Sequence, residues 1–225
     1  MLLFFISLCG IASAIAYRSV DPLVTVLARE FSVPVATAAL VSSAYALPYA
    51  LSQPVLGPIG DSFGKGRLLA ICLSILTVTL LALPFVTSFD MLIALRFIGG
   101  LAAGGTIPVA LALVGDKFPP EQRQLAIARF VAAALVGQIC ASSLAGLFAE
   151  IINWRSFFYV GACVTGIAAL GAAFKLAEPR KPDAPRANLL QAYQSYPVIF
   201  RNPKSLLCYG AVFLEAIAVF GILPY

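Results

Sequence analysis

The sequence predicts an all-α membrane protein, a six-helix transmembrane bundle followed by a seventh helix. Of its 225 residues, 61% are hydrophobic and only 11% are charged, and the mean hydropathy is +0.96. This composition lies far outside that of a soluble domain. The apolar residues form seven stretches, each long enough to cross about 30 Å of hydrocarbon as a helix. Because these stretches lack the alternation of barrel strands, and a helix satisfies its own backbone, helices are predicted throughout.

The seven predicted membrane helices follow one another along the chain. They cover Leu2 to Leu27, Ala36 to Leu56, Leu68 to Val86, Met91 to Val114, Leu125 to Phe148, Phe157 to Leu176 and Ser205 to Leu223. The first stretch resembles a signal peptide as far as Ala14, but it has no charged start and stays apolar beyond that point. A membrane helix that begins almost at Met1 is therefore predicted.

One connection is much longer than the others and separates the sixth helix from the seventh. It begins with EPRKPDAPR, whose prolines and charges are typical of a linker between two bundles. Its second part, ANLLQAYQSYPVIF, fits either an amphipathic interfacial helix or an ordinary loop. We therefore divide the chain into a bundle at 1–176, a cytoplasmic linker at 177–204 and the first helix of an incomplete second bundle at 205–225.

The basic residues predict the orientation in the membrane. Eleven of the fifteen lysines and arginines lie in or beside alternate connections. They are Lys65, Arg67, Lys117, Arg123, Arg129, Lys175, Arg180, Lys181, Arg186, Arg201 and Lys204. The opposite connections carry only Arg29 and Arg155, so the positive-inside rule makes the basic side cytoplasmic, together with the amino terminus. Because the positive charges are spread over several loops, they indicate topology rather than a nucleic-acid surface.

Two residue types limit the chemistry of the chain. There is no histidine, so we predict no histidine-ligated metal site, and proton chemistry would use carboxylates. The five cysteines occur singly in five apolar stretches and are interpreted as small core residues. They are Cys9, Cys72, Cys140, Cys163 and Cys208. No P-loop motif is present, and no cofactor is predicted.

Four of the charged residues inside predicted membrane helices stand out as candidates, because a charge in the hydrocarbon region costs several kcal/mol. They are Arg18, Asp21, Arg96 and Glu215. Asp21 and Arg96 each lie about six residues, or roughly 9 Å, from the same membrane surface. We expect Asp21 to form an ion pair inside the bundle with Arg96, Arg18 or both. Such a pair would either hold helices together or act as a proton or substrate switch.

Glu215 and a polar stripe on the second helix are further candidates for the transport site. Glu215 lies near the predicted midplane without a basic neighbour, which favours its protonated form. It is interpreted as a proton-coupling group, or as a residue that faces a water-filled cavity or a partner in the second bundle. Tyr45, Tyr49 and Gln53 repeat every four residues and share one helix face. With Gln138 of the fifth helix they are predicted to line the cavity, the alternative for the stripe being a helix contact.

The most specific motif is GPIGDSFGKGR at 57–67, between the second and third helices. It resembles the signature loop of the major facilitator superfamily, G-x-x-x-D-(R/K)-x-G-(R/K)-x-(R/K). The matching residues are Gly57, Asp61, Gly64, Lys65 and Arg67, whereas Ser62 replaces a basic residue. The resemblance implies that these five residues act as a conformational latch rather than a substrate site. A simple tight turn is the alternative interpretation.

Other segments resemble the bacterial efflux branch of this superfamily. They are Asp21-Pro22, Tyr45, Gln53, Arg96 to Gly100 with Gly104, the FPPEQR turn and Trp154-Arg155. Members have twelve or more helices, so the resemblance implies an amino-terminal half, made of two inverted three-helix repeats, plus the first helix of the second half. Antiporters often carry G-x-x-x-G-P-x-x-G-G in helix five. Only the small-residue face at 137, 141 and 145 remains here, so this motif does not support antiport.

The predicted function is secondary active transport of a small solute by alternating access in the cell inner membrane, as proton-coupled efflux. The efflux-branch resemblance implies an antiporter, whereas the degraded helix-five motif leaves symport and uniport open. The expected partners are a small-molecule substrate, protons, the lipid bilayer and a second six-helix half. No nucleic acid and no enzymatic reaction are expected. One alternative is a membrane-embedded enzyme, which the short loops and the scattered acid and base groups argue against. The other is a non-transporting membrane scaffold or sensor.

Overall fold

The computed structural model describes residues 1–177, 197 and 201–220, apart from the side chains of 216, 219 and 220. The chain forms two compact units, Met1–Ala184 and Pro185–Tyr225. In the first unit, six helices are long and apolar enough to cross a membrane. They are α1 (Leu2–Glu30), α2 (Val35–Phe63), α3 (Lys65–Phe85), α4 (Phe89–Lys117), α5 (Pro120–Ile151) and α6 (Trp154–Leu176). The second unit contains α7 (Pro203–Phe220). The predicted helical fold class is confirmed.

Two of the helices are interrupted along their length. In α1, a 3-10 turn at Asp21–Leu23 separates Leu2–Arg18 from Val24–Glu30. Pro22 lies in this turn and lacks the amide hydrogen that would continue the helical ladder. In α4, the helix Phe89–Ala103 ends before Gly104-Gly105, and a second helix starts at Thr106. Pro108 likewise cannot donate to the carbonyl four residues earlier, so both bends follow from proline.

The six helices pack in a pattern that relates the first three to the last three. The most extensive contacts join α1 to α5, α2 to α4 and α3 to α6. Exchanging the two three-helix units converts the α1–α5 pair into the α4–α2 pair and leaves the α3–α6 pair unchanged. Short connections make consecutive helices antiparallel, and three helices per unit therefore make α4 run opposite to α1. The packing agrees with the inverted repeat that the resemblance implied.

Small residues allow α1 to approach α5 closely, and α2 to approach α4. We call these two helix pairs the interior pairs. A Cβ atom on Gly100 would lie 2.3 Å from the Tyr45 carbonyl oxygen, and one on Gly104 would lie 2.3 Å from the Tyr49 carbonyl oxygen. A Cβ atom on Gly137 of α5 would lie 3.0 Å from the Ile11 Cα atom of α1. The predicted small-residue face of α5 is buried at all three positions. These contacts hold α4 against α2 and α5 against α1.

The prediction of five core cysteines is wrong for three of them. Cys9 and Cys72 are buried, whereas Cys140, Cys163 and Cys208 are exposed, and all five are free thiols. A small, weakly polar thiol suits a membrane-facing position as well as a core position, so hydropathy alone could not separate the two. The segment ANLLQAYQSYPVIF, which was assigned to an interfacial helix or a loop, lies outside the described residues except at 197.

Candidate functional site

Polar and aromatic side chains gather on the part of the bundle formed by α1, α2, α4 and α5. We call this group the polar cluster. Its members are Tyr17, Arg18, Asp21, Ser42, Tyr45, Tyr49, Gln53, Arg96 and Gln138. All four of these helices belong to the interior pairs, whereas the α3–α6 pair contributes none of these residues. The cluster therefore unites residues that the sequence predicted separately on four helices.

Arg18 and Asp21 form an ion pair where the helix of α1 gives way to its 3-10 turn. Arg18 Nη1 lies 3.0 Å from Asp21 Oδ2, and the Ser42 hydroxyl donates to Asp21 Oδ1 at 3.0 Å. Arg18 Nε also donates to Gln138 Oε1 at 3.5 Å. These bonds connect α1 to α2 and α5. The side chains of Arg18 and Asp21 stay 21% and 34% exposed, so the pair is open on one face of the bundle.

Arg96 is buried, and its hydrogen bonds go to backbone carbonyl groups. The residue is 2% exposed. Its Nη1 donates to Ala16 O at 2.7 Å, its Nη2 to Tyr17 O at 3.4 Å and its Nε to Val41 O at 3.5 Å. Ala16 and Tyr17 lie in the last turn of a helix, where carbonyl groups lack amide partners and the helix dipole is negative. Of the two arginines proposed for Asp21, the structure thus pairs Arg18 with it and uses Arg96 to cap α1.

Three tyrosine rings complete the centre of the cluster. The Tyr17 ring centroid lies 5.7 Å from that of Tyr45 and 5.6 Å from that of Tyr49, and Tyr45 and Tyr49 stack at 6.2 Å. The Arg96 guanidinium carbon is 4.1 Å from the Tyr45 centroid. Tyr45 is buried, and its hydroxyl has no hydrogen-bond partner among the described residues. Tyr49 and Gln53 are half-buried. The polar stripe of α2 is therefore a helix contact at Tyr45 and partly accessible at Tyr49 and Gln53.

Sequence reasoning missed two members of the cluster, Tyr17 and Ser42. Ser42 precedes Tyr45 and Tyr49 by three and seven residues, which places it on the same helix face. This spacing could have identified Ser42. No residue spacing predicts Tyr17, because its position in the cluster depends on the bend in α1. Glu215, the fourth predicted membrane charge, lies on α7 with an exposed side chain.

The predicted 57–67 loop is mostly helical, since α2 continues to Phe63 and α3 starts at Lys65, which leaves only Gly64 as the turn. Gly64 ends α2 with a φ of 97°, a conformation that favours glycine. Lys65 Nζ lies 3.4 Å from Asp61 Oδ1 and 2.6 Å from Asp116 Oδ2. Asp116, which the sequence analysis did not select, therefore ties the start of α3 to the end of α4. Gly57 meets nothing within 4 Å at its Cβ position, and Arg67 is exposed.

Gly66 of the same loop lies directly against the end of α6. A Cβ atom at this position would be 2.1 Å from the Leu176 carbonyl oxygen. No side chain can be added there without moving one of the two backbones. The loop consequently contacts α4 through an ion pair and α6 through backbone.

A second set of contacts closes the opposite end of the bundle. The Trp154 indole N–H and the Arg155 guanidinium donate to the two carboxylate oxygens of Glu30. Arg155 also donates to Pro84 O at 3.0 Å and to Val86 O at 3.1 Å. The Trp154-Arg155 pair, singled out by resemblance, thereby joins the ends of α1, α3 and α6.

The polar cluster brings a guanidinium–carboxylate pair and three aromatic rings together at one site. In the described ranges, no three or more cysteines, aspartates or glutamates come together as a metal site.

Comparison with known proteins gives a consistent family. The family model of the Major Facilitator Superfamily matches residues 6–225. The chain is 32% identical to the uncharacterized MFS-type transporter Rv1250 of Mycobacterium tuberculosis over 67% of its own length and 26% of the relative's length. It is 27% identical to multidrug resistance protein D of Escherichia coli over 88% of its own length and 49% of that protein. It thus spans between about a quarter and a half of these relatives.

A solved structure shows the same arrangement of helices. The chain resembles a bacterial homologue of the human lysosomal transporter Spinster, crystallised in an inward-facing and unoccupied conformation, with a TM-score of 0.66 at 17% identity. The superposition covers 88% of this chain and 48% of the other. Because the family model extends over almost the whole chain and six membrane helices pack in this fold, the chain belongs to the major facilitator superfamily.

Proposed function

We propose that the protein containing this chain carries out secondary active transport of a small solute by alternating access. The observation that supports this most directly is the Arg18–Asp21 pair, which lies in the spanning segment of α1 and stays partly exposed. A charge that faces acyl chains costs several kcal/mol. The open face of the cluster must therefore meet water or protein, as it would in a cavity between two bundles.

We further propose that transport is coupled to protons and directed outward. Asp21 is the carboxylate of the cluster, and its Ser42 and Arg18 partners are polar groups that an arriving proton would rearrange. Glu215 is the second candidate carboxylate for this role. Outward transport is favoured by the similarity to multidrug resistance protein D. The 57–67 loop, with Lys65 between Asp61 and Asp116, acts as a latch for one conformation.

Proton coupling is tested by flux measurements on the full-length protein in proteoliposomes. A panel of amphipathic dyes is loaded, and their movement is followed with and without an imposed pH gradient. We expect gradient-driven flux in the wild type and its loss in Asp21→Asn and Glu215→Gln, because an amide cannot carry the proton. Glu150→Gln is the matched control, since this exposed carboxylate at the end of α5 lies outside the cluster.

The same experiment separates transport from the other functions considered. Flux that responds to the pH gradient and survives both substitutions contradicts the assignment of Asp21 and Glu215. Absence of flux for every dye, in a protein that is folded in detergent, favours a membrane scaffold or sensor.

A further inference from the structure

The charge balance of the polar cluster is positive. Its ionised side chains are Arg18 and Arg96 on one hand and Asp21 on the other. Within residues 1–177, the hydrogen bonds of Arg96 go to carbonyl groups and none goes to a carboxylate, while Asp21 acts on it as a nearby charge. Because two arginines face one aspartate, one positive charge is left over, and in a region of low dielectric constant it acts over several ångströms. A solute at the cluster therefore meets a positive potential.

Two of the three tyrosine rings already contact the two arginines of the cluster. Arg96 lies 4.1 Å from the ring centroid of Tyr45, and Arg18 lies 5.4 Å from that of Tyr17. The negative face of an aromatic ring is what attracts an organic cation. With a guanidinium group already on the faces of two of the three rings, a cationic ligand would meet repulsion where it would otherwise bind.

Arg18 is the more accessible of the two arginines. Its side chain is 21% exposed, whereas Arg96 is 2% exposed and held by backbone. The half-buried ring of Tyr17 lies beside Arg18, and the half-buried ring of Tyr49 lies next to Tyr17 at a centroid separation of 5.6 Å. A guanidinium next to partly exposed aromatic rings suits a solute with an anionic group joined to a flat apolar body.

We propose that the polar cluster selects amphipathic aromatic anions, with Arg18 binding the anionic group and Tyr17 and Tyr49 contacting the ring. This inference rests on the proposed transport function and specifies its substrate class. Asp21 competes with the solute for Arg18, because its carboxylate already accepts a hydrogen bond from Arg18 Nη1 at 3.0 Å.

The test is a binding measurement with two matched probes, naphthoate and naphthylmethylammonium, which share the ring and differ in the charge. Equilibrium dialysis against the purified full-length protein gives both affinities. We expect naphthoate to bind at least about tenfold more tightly, the value of one charge-assisted hydrogen bond. Arg18→Gln should remove this preference, while Arg29→Gln, an exposed arginine near the end of α1, should keep it.

Asp21→Asn provides a gain of binding that misfolding cannot imitate. Removal of the competing carboxylate should raise the affinity for naphthoate, even though the same variant is expected to lose proton-driven flux. Absence of flux in the wild-type protein, together with preferential binding of naphthoate, would contradict the transport function alone. Equal or tighter binding of the cation, no measurable binding of naphthoate, or an unchanged preference in Arg18→Gln overturns the inference.

Discussion

At the scale of single residues, Arg96 shows how a charge can be buried in a membrane protein with no carboxylate hydrogen-bonded to it among residues 1–177. Its guanidinium group replaces the amide donors that the last turn of a helix lacks, and it reaches carbonyl oxygens of α1 and α2. A buried arginine of this kind stabilises the bend in α1 and the contact of α1 with α2 and α4 together.

The geometry of Arg96 leads to a prediction for stability. Arg96→Lys keeps the positive charge but places it on one ammonium group, which cannot reach the Ala16 and Val41 carbonyl groups at once. We expect a loss of about 1.5–3 kcal/mol, the range for hydrogen bonds to charged groups. Thermal unfolding of the full-length protein in detergent measures it, with the exposed Arg29→Lys as the control. Equal melting of the two variants would show that the carbonyl contacts contribute little.

The sequence identified the buried charges at this scale, but it did not identify the partner of Arg96. Depth along a helix follows from counting residues, so Arg18, Asp21 and Arg96 could be placed together. The carbonyl groups of Ala16 and Tyr17 that bind Arg96 become available only because the helix of α1 ends at Arg18. A pattern of side chains does not indicate which backbone carbonyl groups lack a hydrogen-bond partner.

At the scale of helices, the contact between α2 and α4 depends on glycine. Gly100 and Gly104 are one turn apart, and each lies against a backbone carbonyl group of α2. The sequence analysis marked these glycines by resemblance. Their neighbours could not be predicted, because a small residue permits a close approach without specifying which helix approaches.

Substitution of Gly100 tests this contact against a control in the same helix. The Cβ atom in Gly100→Ala would lie 2.3 Å from Tyr45 O, so α2 and α4 must separate. We expect destabilisation of about 1–3 kcal/mol, which is typical of overpacking. Gly115→Ala meets nothing within 4 Å and should be neutral or slightly stabilising, because alanine favours the helix. A thermal midpoint for Gly100→Ala equal to that of Gly115→Ala would disprove the close contact.

At the scale of the whole molecule, the repeat is visible in the packing and not in the residues. Exchanging the first three helices with the last three converts the α1–α5 pair into the α2–α4 pair and leaves the α3–α6 pair unchanged. Gly100 and Gly104 hold one interior pair, whereas Gly137, Ala141 and Ala145 lie in the other. Different small residues thus perform the same packing task, which is why comparison of residue identities revealed no repeat.

The orientation of the bundle is a prediction at the same scale. The basic residues place the 57–67 loop in the cytoplasm and the connection at 31–34 outside. In a protein whose native cysteines are replaced by serine, Ser32→Cys should react with a membrane-impermeant maleimide in intact cells. Arg67→Cys should react only after the membrane is opened. Both positions are exposed, so the reverse pattern of labelling would mean that the orientation is wrong.

The contact of Gly66 with the Leu176 carbonyl group joins the turn between α2 and α3 to the end of α6. Residue 176 is the end of the sixth span, and it rests on the first turn of α3 with no room for even a methyl group. A displacement of the turn between α2 and α3 therefore displaces the end of α6 as well.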